Sequence, residues 1–139
     1  MDKVLEIQMA LLNKINFAFE LLLGLNREGC PCSLVGCLEM DTKGESYRML
    51  IVNYLVALIG NRKNDKVSIW HNSVGEKKEQ IEKFHIDNAD GIKNLYNTRD
   101  KIYAHFDTDY DSVLKNIEYD FIKACIDFLN EVLEYQGDK

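Results

Sequence analysis

An all-α, four-helix up-and-down bundle is the fold this sequence predicts, and three observations predict it. Four segments carry apolar residues three and four apart, the spacing of a helix face. The 139 residues hold one proline and no glycine- or proline-rich linker that would divide them, so one domain spanning residues 1–139 is expected. A composition of 46% hydrophobic and 29% charged residues is ordinary for a chain that buries a core.

The first helix is expected over residues 2–25, with Gly24 or Asn26 ending it. Val4, Leu5, Leu11, Leu12, Ile15, Ala18, Phe19, Leu22 and Leu25 form one face, and Ile7, Phe17, Leu21 and Leu23 widen it beyond a single stripe. A helix apolar over so much of its circumference is buried on two sides. In a small bundle the second side is most simply a subunit contact, so a homodimer is expected.

Residues 26–45 read as a long loop, because three glycines and the only proline fall among mixed polar residues. Cys30, Cys32 and Cys37 lie here. A structural zinc site takes four ligands in paired knuckles, and no second pair is present, so they read as unliganded thiols.

The second helix is expected over residues 46–60, with Gly60-Asn61 as the stop and a buried strand as the competing assignment. A charged turn, Asn61 to Lys66, leads to Val67-Ser68-Ile69-Trp70-His71. Trp70 is expected to pack on the bundle, and His71 to be a structural histidine. A short extra helix, Glu76 to Phe84, precedes the third. Lys63, Lys66, Lys77, Lys78 and Lys83 read as a solvated face.

The third helix starts at Asp87 or Asn88, either one a good N-cap, and runs to about Phe106. Thr108, Asp109 or Asp111 then caps a fourth helix from about Ser112 to Tyr135, with Leu114, Ile117, Phe121, Ala124, Cys125, Phe128 and Val132 as its apolar stripe. Cys125 is expected to be an inert core residue.

The net charge of −6 excludes a surface that attracts nucleic acid as a whole, leaving only local contacts. The N-terminus has acids where a signal peptide would be basic, and no apolar run is long enough for a membrane. With four cysteines and no secretory context, a cytoplasmic location with reduced thiols is expected. A di-iron carboxylate bundle is excluded, because Glu82-Lys-Phe-His85 has no second ExxH. No phosphate-binding glycine loop and no nucleophile elbow are present.

Arg99-Asp100…His105 remains. In the third helix Ile92, Leu95, Tyr96, Ile102, Tyr103 and Phe106 share one stripe, with Arg99 at its centre. A guanidinium there must either snorkel to the edge or find a partner in a cleft. His105, six residues on, points about 120° away in a straight helix, so the two meet across a distorted end or between two copies. An arginine that grips phosphate and a histidine that trades protons suffice for metal-free cleavage of RNA by its own 2′-hydroxyl.

The string Arg99-Asp-Lys-Ile-Tyr-Ala-His105-Phe-Asp resembles the HEPN domain, most closely HEPN proteins of bacterial abortive-infection systems. Weaker likeness reaches back through the second helix and Val67 to His71, covering roughly residues 46–107. The resemblance implies a homodimer whose paired motifs face a shared cleft, acting as a metal-independent, cofactor-free endoribonuclease of toxin type. It assigns phosphate binding to Arg99, orientation of the arginine or histidine to Asp100, and catalysis to His105. It also implies a nucleotidyltransferase antitoxin as a partner. Asp107 stands where such members often have a tyrosine, which argues against nucleotidyl modification. The alternatives are a HEPN-fold interaction or scaffold protein without activity, and an unrelated helical regulator in which Arg99 and His105 merely cap and pair.

Overall fold

The computed structural model describes residues 2–28, 34–103 and 119–134. Among them the secondary structure is helical throughout: α1 (Lys3–Glu28), α2 (Leu34–Ile59), α3 (Gly75–Asp87), α4 (Ala89–Tyr103) and α5 (Tyr119–Val132). Helix α1 packs on α2 and α5, and α4 packs on α2 and α3.

Asp2 starts α1. Its carboxylate accepts from the Val4 N–H at 3.0 Å and its carbonyl from Glu6 N–H, satisfying donors that the first helical turn leaves open. Leu12, Ile15, Ala18, Phe19 and Leu22 are buried, as the periodicity requires. Buried Gln8 ties the helix to the following layer by donating to the Val67 carbonyl at 2.9 Å. Ile7 and Leu21 lie at the surface, and Phe17 is 67% exposed, so the wider part of the apolar face is bare in the single chain.

The first correction concerns residues 26–45. Helix α1 runs through Gly24 and Asn26 to Glu28, and α2 begins at Leu34, twelve positions before the expected start. The long loop is thus replaced mostly by helix. Each interior glycine costs only about 1 kcal/mol against alanine, a penalty that packing along a 26-residue helix outweighs. Residues 46–59 are helix rather than strand, and α2 stops at Ile59, immediately before Gly60.

Three of the last four carbonyls of α2 are taken up by the chain that follows. Val56 O accepts from Gly60 N at 2.8 Å, Leu58 O from Ile69 N at 2.8 Å, and Ile59 O from His85 Nε2 at 2.7 Å. Residues 61–74 therefore fold back as a plug of turns over the end of α2, with Ile69 and Ser68 fully buried. Trp70 packs on the core, edge-on to His85 with ring centroids 4.6 Å apart. Lys78 lies over its indole at 4.1 Å and donates to its carbonyl. His71 Nε2 bonds the Arg62 carbonyl at 2.8 Å, the structural role expected of it.

Helix α3 covers the short extra helix and extends it to Asp87. Helix α4 starts at Ala89, but the expected cap works backwards: Asn88 Nδ2 donates to the Phe84 carbonyl at 3.0 Å, closing α3. Phe84 stacks on Phe128 of α5 with centroids 4.1 Å apart. Asn16 of α1 donates to Asn130 of α5 at 3.2 Å. On α5 the buried stripe is Ile122, Cys125, Ile126, Leu129 and Val132. Ala124 is exposed, a correction of about one position in register. Burial pushes the Cys125 thiol up to about 12, so it stays protonated in the core. Leu114, Ile117 and the expected junction between Phe106 and Ser112 lie outside the described residues. No described helix is long and apolar enough to cross a membrane.

Leu55, fully buried on α2, tests this core. Leu55→Ala should lower the unfolding free energy by about 2–5 kcal/mol in urea denaturation, with little change in slope.

Candidate functional site

Helix α4 brings Arg99 and Asp100 to the edge of the plug formed by residues 61–74. The contact begins with Tyr96, one turn earlier and buried. Its hydroxyl donates to Asp65 Oδ2 at 2.6 Å and accepts from the main-chain N–H of Asn61 at 2.8 Å and of Arg62 at 3.3 Å. Asp65 Oδ2 also accepts from Arg62 N at 3.0 Å. A phenol and a carboxylate thus meet over a chain reversal, each bonded to its backbone.

Gly60 makes the approach possible. A Cβ there would lie 2.6 Å from the Val56 carbonyl and closer still to Asp65 Oδ2 and Tyr96 Oη. Burial, and then the hydrogen bond and charge of Asp65, push the Tyr96 hydroxyl up to about 12, against the pull of the main-chain donors. Tyr96 is therefore a neutral donor at any physiological pH.

Two guanidinium groups gather on this base. Arg62 Cζ sits 3.8 Å from the centroid of the Tyr96 ring, and Arg99 Cζ 5.2 Å from it. Arg99 reaches Asp65 Oδ1 through Nη1 at 3.8 Å, and Asp100 Oδ1 through Nε at 3.3 Å and Nη2 at 3.1 Å. Arg62 Nη1 takes the other oxygen of Asp100 at 3.1 Å. Asp100 is thus a bridge between two arginines, one from the plug and one from α4. Burial raises its proton affinity, but the hydrogen bonds and charges of Arg62 and Arg99 outweigh that and hold its carboxyl below 3.8.

The guanidinium on the apolar stripe therefore has carboxylate partners, Asp65 and Asp100, rather than lying loose at the edge of the helix. Arg99 is 24% exposed, half the exposure of Arg62. Of the expected site residues, Arg99 and Asp100 come together, and His105 lies outside the described residues, as do Cys30 and Cys32; Cys37 falls within α2. Arg62, Asp65 and Tyr96 were not expected in the site. Asp65 is more than thirty positions from its partners on α4, and only Gly60 at the helix stop hinted at a close approach. No group of three metal-ligating side chains is found among the described residues.

Two measurements test this account. Gly60→Ala and Tyr96→Phe should each cost about 1–3 kcal/mol of stability, the first by overpacking and the second by leaving a buried carboxylate short of a donor. Asp100 has its proton affinity lowered by folding, so the stability it contributes is present above pH 3.8 and lost as pH falls through its lower folded value. Acid titration of the unfolding free energy should accordingly be shallower below pH 4 in Asp100→Asn than in the parent protein.

No family model matches this chain, and neither a curated protein nor a solved structure is found similar to it.

Proposed function

We propose that this protein is a HEPN-like, metal-independent endoribonuclease of toxin or abortive-infection type, folded as a four-helix up-and-down bundle and acting as a cytoplasmic homodimer. The observation that carries the reading is Arg99. It stands on the apolar side of α4, oriented by Asp100 and Asp65 over the Tyr96 ring, six positions before His105. An arginine fixed this way presents a planar fork to a phosphate without losing much side-chain entropy on binding. Arg62, joined to it through Asp100, adds a second cation on an otherwise acidic body. His105, as proton carrier, completes the chemistry: the 2′-oxygen gives up its proton and attacks the adjacent 3′-phosphate, the P–O5′ bond breaks, and the 5′-oxygen leaves with a proton as a hydroxyl, giving a 2′,3′-cyclic phosphate while Arg99 stabilises the charge that develops. The bare apolar side of α1 supports the dimer. A nucleotidyltransferase antitoxin would be its counterpart in the cell.

One observation favours a second reading, a HEPN-fold interaction protein without activity. All three guanidinium nitrogens of Arg99 already face carboxylates, and Asp100 holds negative charge close to where a phosphate would sit.

Incubation of the purified protein with single-stranded RNA in EDTA separates the two. Cleavage should persist in EDTA and fall by about 10²–10³-fold in both Arg99→Ala and His105→Ala, with helical circular dichroism unchanged. A stable dimer with no cleavage at any protein concentration would leave the interaction protein as the correct reading.

A further inference from the structure

A cleft of about 620 Å³ opens between α3 and α4 beside Tyr96. Its volume is that of a site for a small organic molecule. The apolar wall is Ile86, Ala89 and Ile92, and the aromatic wall is Trp70, His85 and Tyr96. Arg62 and Lys93 stand at the same cleft, against one acid, Glu82. Arg99 and Asp100 are not part of it.

The hydrogen bonds of these groups restrict what the cleft can take. His85 Nε2 faces the Ile59 carbonyl at 2.7 Å, so it must carry the proton and Nδ1 is left as an acceptor. Burial, and then the charge of Lys78, lower the proton affinity of His85 against the opposing pull of the Ile59 carbonyl. Arg62 engages Asp100 through Nη1 alone, and its side chain is 48% exposed, so other guanidinium donors remain. Lys93 is exposed. Cationic ligands are disfavoured, because Lys78 already covers the Trp70 ring and Arg62 the Tyr96 ring.

The geometry points to a binding site for a small, flat aromatic molecule with one anionic group, its ring against Ile86, Ala89 and Ile92 beside Trp70, and its anion between Arg62 and Lys93. This goes beyond the cleavage reading and does not rest on it, since Arg99 does not line the cleft. Two sources share that chemistry, a nucleoside monophosphate and an aromatic carboxylate.

Trp70 is the only tryptophan in the chain, so a single indole N–H resonance reports on the cleft. The ¹⁵N-labelled protein is titrated with adenosine 5′-monophosphate and, separately, with 4-hydroxybenzoate. A saturable shift of that resonance, with a Kd below about 1 mM for one of the two, is expected and identifies the source. Lys93→Ala and Ala89→Phe, both at exposed positions, should weaken that binding at least about tenfold with circular dichroism unchanged. The inference is overturned if neither probe moves the indole resonance at 10-fold that concentration. It is equally overturned if adenosine binds as well as its monophosphate, or if inorganic phosphate alone gives the full shift. Binding without RNA cleavage would leave this site standing and remove the ribonuclease; cleavage without binding would do the reverse.

Discussion

The hydrogen bond of 2.6 Å between Tyr96 and Asp65 is the joint on which the functional end of this molecule depends. A carboxylate as buried as Asp65 is costly unless its lone pairs are occupied. Here the phenol, a main-chain N–H and the Arg99 guanidinium all face it. In return the joint fixes three things at once: the stop of α2, the fold-back of residues 61–74 and the rotation of α4 about its axis. Without it Arg99 would have no reason to lie where the stripe of Ile92, Leu95 and Tyr96 puts it.

Around that joint the charges are arranged in alternation. Asp65, Arg99, Asp100 and Arg62 follow one another, each cation between two anions or at the end of the row. Exposed ion pairs of this kind contribute little to stability singly. Their value is geometric, because a guanidinium tied at two points cannot swing away into water. The same economy governs the end of α2, where a histidine, a glycine and an isoleucine main chain each take one carbonyl. His85 thereby spends its proton on structure.

Much of this fold was legible from periodicity. The buried faces of α1 and α4, the stop at Gly60, the short helix before α4 and the structural role of His71 all follow from spacing and local chemistry. Residues 34–45 misled because glycine and polar residues read as loop, and local propensity is weaker than the packing of a long helix. Asn88 misled because one amide can close the preceding helix as readily as it opens the next. In the site, the apolar stripe showed that Arg99 needed a partner, and the resemblance offered Asp100 but not Asp65. Asp65 sits in a run of charged residues with nothing local to mark it as buried. Arg62, likewise, looks like a turn cation until α4 is laid beside it.

The turn offers Tyr96 and Asp65 its peptide N–H groups at positions 61 and 62, and just before them it demands the missing side chain of Gly60. Of Asn61 the joint uses the peptide N–H, whereas it engages Arg62 through both peptide and guanidinium. A change of side chain at position 61 therefore alters the face shown to solvent and leaves the reversal beneath it intact, while one at position 62 also releases Asp100.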